Sequence, residues 1–181
     1  AVQAGVWTGD CVVGGGGESD CSGAGKALGP VKIAGNLTIA SGEKLTLTGP
    51  IWVEGEVTIN SNVEVKVAEA LGSEGVVMVA DYPANQLGRG RIVTASNVTF
   101  VQTSAEGPAI LVSTNTGDNC GVNPAVQVSS NTATVVFSAP EGCIFFQSNS
   151  LVRGVLAKKI HLAGNSEIVY DPRLAYVILK T

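Results

Sequence analysis

Residues 29–48 read GPVKIAGNLTIASGEKLTLT, and residues 49–68 read GPIWVEGEVTINSNVEVKVA. The two stretches align without a gap. Gly29-Pro30 matches Gly49-Pro50, Val31 and Ile33 match Ile51 and Val53, and Gly35 matches Gly55. Further along, Leu37-Thr38-Ile39 matches Val57-Thr58-Ile59, and Leu45 and Leu47 match Val65 and Val67. Each stretch holds three short runs in which apolar and polar residues alternate. Val31/Ile33, Leu37/Ile39 and Leu45/Leu47 point one way, while Lys32, Thr38 and Thr46 point the other. A period of two marks half-buried strands. Gly, Ser and Asn break the runs, and these residues accept left-handed backbone angles and support tight turns. Three strands and three corners in about 20 residues make one coil of a parallel β-helix. The expected fold is therefore all-β: a single-stranded parallel β-helix, or β-solenoid, with right-handedness the default for parallel crossovers.

The pattern extends toward the C-terminus. Ser-Asn corners recur at Ser96-Asn97, Ser130-Asn131 and Ser148-Asn149, with a Gly-Asn corner at Gly164-Asn165. Asn at successive corners predicts an internal ladder of side-chain amides bonding from coil to coil. Two coils are longer than the template, and their extra residues fall after the first strand. The insertions span Asp81 to Arg91 and Ser113 to Pro124, and they are expected to bulge from one edge, one above the other. Insertions on one face of a repeat protein are a place to look for binding. Within them Tyr82, Arg89, Arg91, Asp118 and Asn119 are the candidate ligand contacts.

The organisation expected is one structural domain: an N-terminal cap with a disulfide loop (1–28), the solenoid (29–171), and a C-terminal strand or cap (172–181). Val6 and Trp7 are expected to cover the first coil. The most apolar run, Leu174 to Leu179, follows the turn signal Asp171-Pro172. It either covers the last coil or adds as a strand to another subunit, which makes Tyr176, Val177, Ile178 and Leu179 candidate subunit contacts.

Charged residues make up 14% of the chain against 45% hydrophobic, whereas an ordinary soluble domain carries about 25% charged residues. Neutral polar side chains must cover the surface, as in many secreted all-β proteins. The net charge is −4 and no basic stripe is present, which argues against nucleic acid as a partner. No apolar run approaches the ~18 residues of a membrane-spanning helix. The opening Ala1-Val2-Gln3-Ala4 lacks an initiator Met and reads either as a processed end or as a trimmed one.

Four cysteines are present, none in the C-x-x-C spacing of a zinc or redox site. Cys11 and Cys21 bracket a Gly-rich loop. Cys120 lies in the second insertion, and Cys143 falls at the same corner one coil later. The repeat register thus predicts the pairs Cys11–Cys21 and Cys120–Cys143, and an oxidising compartment.

Chemistry is harder to find. The single histidine, His161, faces outward beside Phe145 and has no second ligand at metal spacing. Glycoside hydrolysis needs two carboxylates across a cleft. Glu54, Glu56, Glu64, Asp81 and Asp118, with Arg89 and Arg91, are the best set available for a polysaccharide lyase or glycosidase, and they are scattered. The expectation is no enzyme, no metal and no cofactor.

The string GPIWVEGEVTINSN (49–62) and the later run GVLAKKIHLAGNSEIVYDPRLA (154–175) resemble the β-helical passenger domain of bacterial secreted proteins related to PilX-type pilus-assembly proteins. The resemblance covers roughly residues 29–175, and its motifs are repeat motifs. It implies an envelope-associated or exported protein of pilus or pseudopilus type, and self-association or a pilin-type partner is expected. The hydrophobic pilin helix of that family has no counterpart in this sequence, so direct membrane insertion is not expected. Two functional expectations follow. One is an extracellular structural protein, subunit or accessory of a pilus or surface filament. The other is an adhesin-like module holding a glycan or surface ligand at loops 81–91 and 113–124.

Overall fold

In the computed structural model the sequence repeat becomes strand pairing. The residues described are 5–16, 18–23, 25–105, 107–132 and 135–169. Three strands, β4 (Val31–Ile33), β5 (Leu37–Ile39) and β6 (Lys44–Leu47), form one circuit. The next circuit is β7 (Ile51–Val53), β8 (Val57–Ile59) and β9 (Glu64–Val67). Each strand of the first pairs in parallel with its counterpart in the second, Val31 opposite Ile51, Leu37 opposite Val57 and Leu45 opposite Val65. These are the residues aligned in the sequence repeat. Backbone bonding between circuits is thus a consequence of the repeat length: equal circuits bring equal positions into register.

The same scheme runs through the chain. Residues expected to form a cap supply a circuit of their own: β1 (Gly5–Trp7), β2 (Cys11–Val13) and β3 (Ala27–Leu28). They pair in parallel with β4, β5 and β6. Trp7 joins this circuit opposite Ile33, and Val6 is exposed rather than covering anything. The fourth circuit is β10 (Val76–Ala80), β11 (Ile92–Thr94) and β12 (Thr99–Val101). Before it lies a short 3-10 segment, Glu69–Glu74, after which β10 begins two residues ahead of β7, so that Met78 and not Val76 lies opposite Ile51. A slip of two preserves which side chains face inward, whereas a slip of one would invert them.

The fifth circuit contains β13 (Ala109–Ser113), a small antiparallel hairpin of β14 (Asp118–Asn119) and β15 (Asn123–Pro124), and β16 (Val126–Val128). The sixth merges its first two faces into one long strand, β17 (Val136–Phe146), followed by β18 (Leu151–Val152). The last has β19 (Gly154–Leu162) and β20 (Glu167–Ile168). The result is an all-β protein dominated by a parallel sheet whose two flanks meet at β17, consistent with a β-solenoid-like architecture.

Inward columns hold the stack together. Cys11, Leu37, Val57, Ile92, Val126 and Ile144 succeed one another in register, as do Val13, Ile39, Ile59, Thr94, Val128 and Phe146, and every one is fully buried. Burying each large aliphatic side chain contributes about 1.5–3 kcal/mol, so the columns drive the coiling. Close stacking also dictates corner glycines. A Cβ on Gly35 would stand 2.5 Å from the Gly9 backbone, and one on Gly55 would stand 2.6 Å from the Gly35 carbonyl.

The asparagine ladder forms at exposed corners and not inside the stack. Asn62, Asn97 and Asn131 are exposed and have φ near +60° (60°, 60° and 61°). Left-handed geometry turns the side chain away from the axis, and the next residues, Val63 and Val98, fill the interior. In the last circuit Gly164, φ 60°, takes the corner position instead of Asn165. Both disulfides lie at the stack's margins: Cys11–Cys21 with Cα atoms 5.5 Å apart, and Cys120–Cys143 with Cα atoms 5.4 Å apart. They point to a non-cytoplasmic, oxidising compartment. Among the described residues no helix is long and apolar enough to cross a membrane. The candidate subunit contacts Tyr176, Val177, Ile178 and Leu179 lie outside the described residues.

Candidate binding edge at the stacked insertions

The two insertions leave the stack at the same corner, one after β10 and the other after β13, because those strands pair directly. They pack against each other more closely than a pair of free loops. Asn115, fully buried, donates from Nδ2 to the carbonyls of Leu87 (3.2 Å) and Arg89 (2.6 Å) and accepts from the Gly117 N–H at 2.7 Å. Ser113, inside β13, donates to the Gly90 carbonyl at 2.7 Å. Thr116 N–H donates to the Gln86 carbonyl at 2.9 Å. A buried amide with its donor and acceptor sides satisfied fixes geometry, because any slippage would strand polar groups away from water.

This packing sorts the five candidate residues. Arg89 stacks on Tyr82, its guanidinium carbon 5.0 Å from the ring centroid. Arg89 is exposed and Tyr82 half-buried, so this pair presents a cation over an aromatic face at the protein's edge. Arg91 is committed to structure: its Nε donates to the Pro124 carbonyl at 2.9 Å, tying the first insertion to the second. Asp118 faces Lys159 at 3.1 Å and Lys158 at 3.6 Å, both on β19. The hydrogen bond from Lys159, with the charges of both lysines, holds its carboxyl below the usual carboxylate range. Asn119 accepts from the Gly121 N–H at 3.2 Å and shapes the hairpin tip beside Cys120. The structure therefore joins Tyr82 with Arg89, while Arg91, Asp118 and Asn119 take local structural partners.

The carboxylates are similarly occupied. Asp81, 7% exposed, accepts from the Thr114 hydroxyl at 2.6 Å. Glu54 pairs with Lys32 at 2.7 Å and Glu64 with Lys44 at 3.7 Å. His161 is exposed and packs edge-on against Phe145, ring centroids 4.9 Å apart. Among the described residues no three His, Cys, Asp or Glu side chains gather as a metal site.

Two features were not anticipated from the sequence. One is Asn115, a polar loop residue whose burial depends wholly on the neighbouring insertion. The other is an apolar stripe on the outside of the first face, where Val6, Lys32, Trp52, Val79, Val112, Ser138 and Leu156 follow in register. A second column beside it runs through Val77, Ile110 and Val136, of which Val77 is exposed, Ile110 half-buried and Val136 buried. The alternation was readable, but β10 and β13 are apolar on both sides, and only the pairing aligns their outer halves. Outward positions elsewhere are more polar, with Thr38, Thr58 and Gln127 on the second face and Lys44, Glu64 and Lys66 on the third.

Compared with protein-family models, with curated proteins and with solved structures, the chain matches none.

Proposed function

We propose that this chain is an exported, non-enzymatic structural protein: a right-handed parallel β-helix that serves as a rod-like subunit or accessory of a pilus or surface filament. The observation that carries the reading is the outward stripe of the first face. Val6 is 67% exposed, Trp52 45%, Val77 37% and Leu156 52%, and they run from the first circuit to the last. Exposed apolar side chains along one face, interrupted only by Lys32 and Ser138, mark a contact with another protein, and an in-register sheet face suits lateral packing. Likeness of residues 49–62 and 154–175 to pilus-related passenger domains supports the same reading. The compartment follows from the two disulfides, and the surface location from the filament role.

The test is the mass and shape of the non-reduced chain by light scattering and negative-stain electron microscopy over a range of concentrations. Assemblies larger than the 18.4 kDa chain are expected. A Trp52→Lys, Val79→Lys variant should lose them while keeping its β-sheet circular dichroism. A clean monomer at millimolar concentration would overturn the proposal.

A second reading is favoured by the Tyr82–Arg89 pair: an adhesin-like module that stacks a sugar ring or binds an acidic glycan at the insertion edge. Binding on a glycan array that disappears in Tyr82→Ala and Arg89→Ala would establish it. Equal binding by both variants would remove it.

A further inference from the structure

By polarity, the outward column of the first face reads the same in both directions. In circuit order it is Val6, Lys32, Trp52, Val79, Val112, Ser138 and Leu156. Val79 of β10 is the middle member. Trp52 and Val112 flank it, Lys32 and Ser138 come next, and Val6 and Leu156 end the column. The two polar members therefore lie equally far from the centre, and apolar side chains take every other place. Neighbouring strands lie about 4.8 Å apart, so the column is about 29 Å long.

Such a column is complementary to a reversed copy of itself. A two-fold axis running along β10 reverses the circuit order and keeps the strand direction. Val79 then meets Val79, Trp52 meets Val112, Lys32 meets Ser138 and Val6 meets Leu156. Every apolar side chain faces an apolar one. Other registers break this match. An axis midway between β10 and β13 sets Lys32 against Leu156 and Trp52 against Ser138. One midway between β7 and β10 sets Lys32 against Val112 and Val6 against Ser138. Each leaves polar groups facing apolar ones.

A parallel pair, with the two-fold along the stack, places each residue on itself. Lys32 then meets Lys32, a like-charge contact. Trp52, the bulkiest member, meets Trp52, which holds Val79 and Val112 apart from their counterparts. In the antiparallel pair each Trp52 sits on a valine, so large meets small on both sides of the axis. Against Ser138, Lys32 keeps its ion pair with Glu54 at 2.7 Å and meets a neutral hydroxyl.

We propose that the first face is an isologous interface on which a second copy of this chain packs antiparallel, with the two-fold axis at Val79. The inference rests on the reading of this stripe as a contact surface, and adds the partner and its orientation. Strand direction is the same in both copies, so their insertion corners lie on one side of the pair. The two Tyr82–Arg89 edges are then presented together.

Analytical ultracentrifugation of charge variants tests it, with circular dichroism as the check on folding. Ser138→Lys sets a lysine against Lys32 twice in each pair and should weaken self-association tenfold or more. Adding Lys32→Glu turns both contacts into ion pairs and should restore it. A parallel pair would instead set glutamate on glutamate and lysine on lysine. Association that stays weak in the folded double variant would overturn the proposal and leave the filament reading standing. Association unmoved by Ser138→Lys would do the same, by placing the contact on another face. A spin label on Leu156→Cys gives the orientation directly. Two labels in an antiparallel pair lie about 29 Å apart along the stack, whereas in a parallel pair they are neighbours. A pulsed electron-spin measurement that finds them in contact would overturn the proposal. A wild-type chain that stays monomeric at millimolar concentration would remove the filament reading and this inference together.

Discussion

The side-chain amide of Asn97 donates to Oδ1 of Asn62, one circuit earlier, at 3.0 Å, and both residues sit at φ 60°. Asn131 continues the contact, donating to Asn97 at 2.8 Å. Each Asn does two jobs: it tolerates a left-handed corner, and it bonds along the stack. The two can be separated. Asn97→Gly keeps the corner and loses the ladder, whereas Asn97→Ala loses both. The alanine variant should be destabilised by about 1–2 kcal/mol, and the glycine variant by roughly half as much. Urea unfolding midpoints of the two variants would show the order, and equal midpoints would mean that the ladder alone matters.

The disulfides close loops of different length, with sequence separations of 10 and 23. Chain-entropy reasoning gives about 3 kcal/mol for each, slightly more for the longer loop. Paired Cys→Ser variants should therefore both lower stability, Cys120/Cys143 the more. Removing Cys120–Cys143 should also raise amide exchange in the 114–124 insertion, which it pins to β17, without affecting residues 11–21. Thermal unfolding and exchange measured together separate the two bridges.

Asp20 organises the first loop. Burial pushes its carboxyl up, but hydrogen bonds from Lys26, Ser22 and Gly14 outweigh this and hold it well below the usual carboxylate range. A carboxylate with a depressed folded-state pKa stabilises the protein above its unfolded value of about 3.9. That contribution is lost as pH falls below it toward the folded value. Wild-type stability should thus decline between about pH 4 and pH 2, and Asp20→Asn should be less stable at pH 7 with a flatter decline. Chemical denaturation at pH 7, 4 and 2.5 checks it; parallel curves would assign the acid sensitivity elsewhere.

Asn115 carries the packing of the insertions. Asn115→Ala leaves the Gly117 N–H and the carbonyls of Leu87 and Arg89 without their partner, so a loss of about 2–3 kcal/mol is expected. The Tyr82–Arg89 contact should loosen with it, read as faster proteolysis within 82–90. Cleavage unchanged from wild type would show that the first insertion holds its shape alone.

Much of the architecture was legible in residues 29–68, because a repeat fixes both strand spacing and which side chains turn inward. Equal circuits must place Leu37 on Val57 and Ile39 on Ile59. The corner glycines and asparagines were equally readable as turn residues. Less legible was the direction of the Asn side chains, since a left-handed corner turns them outward once valine fills the interior. The candidate site was harder still. Tyr82, Arg89, Arg91, Asp118 and Asn119 share a sequence neighbourhood, but which of them meet depends on how two loops of unequal length settle on each other.

By itself the sequence determined the parallel repeat, the inward columns, the shared corner of the insertions and the expected cysteine pairs, because all four depend on periodicity, and periodicity is local information. Tertiary structure decided the rest. It committed Arg91 to Pro124 and Asp118 to two lysines, buried Asn115 between loops, and aligned Trp52 with Val79 and Val112 into an outward apolar stripe. It also leaves Ile160 and Leu162, at the last described circuit, half exposed where the earlier members of their columns are buried. These outcomes depend on contacts between circuits, where the register of one turn on the next sets which side chains can meet.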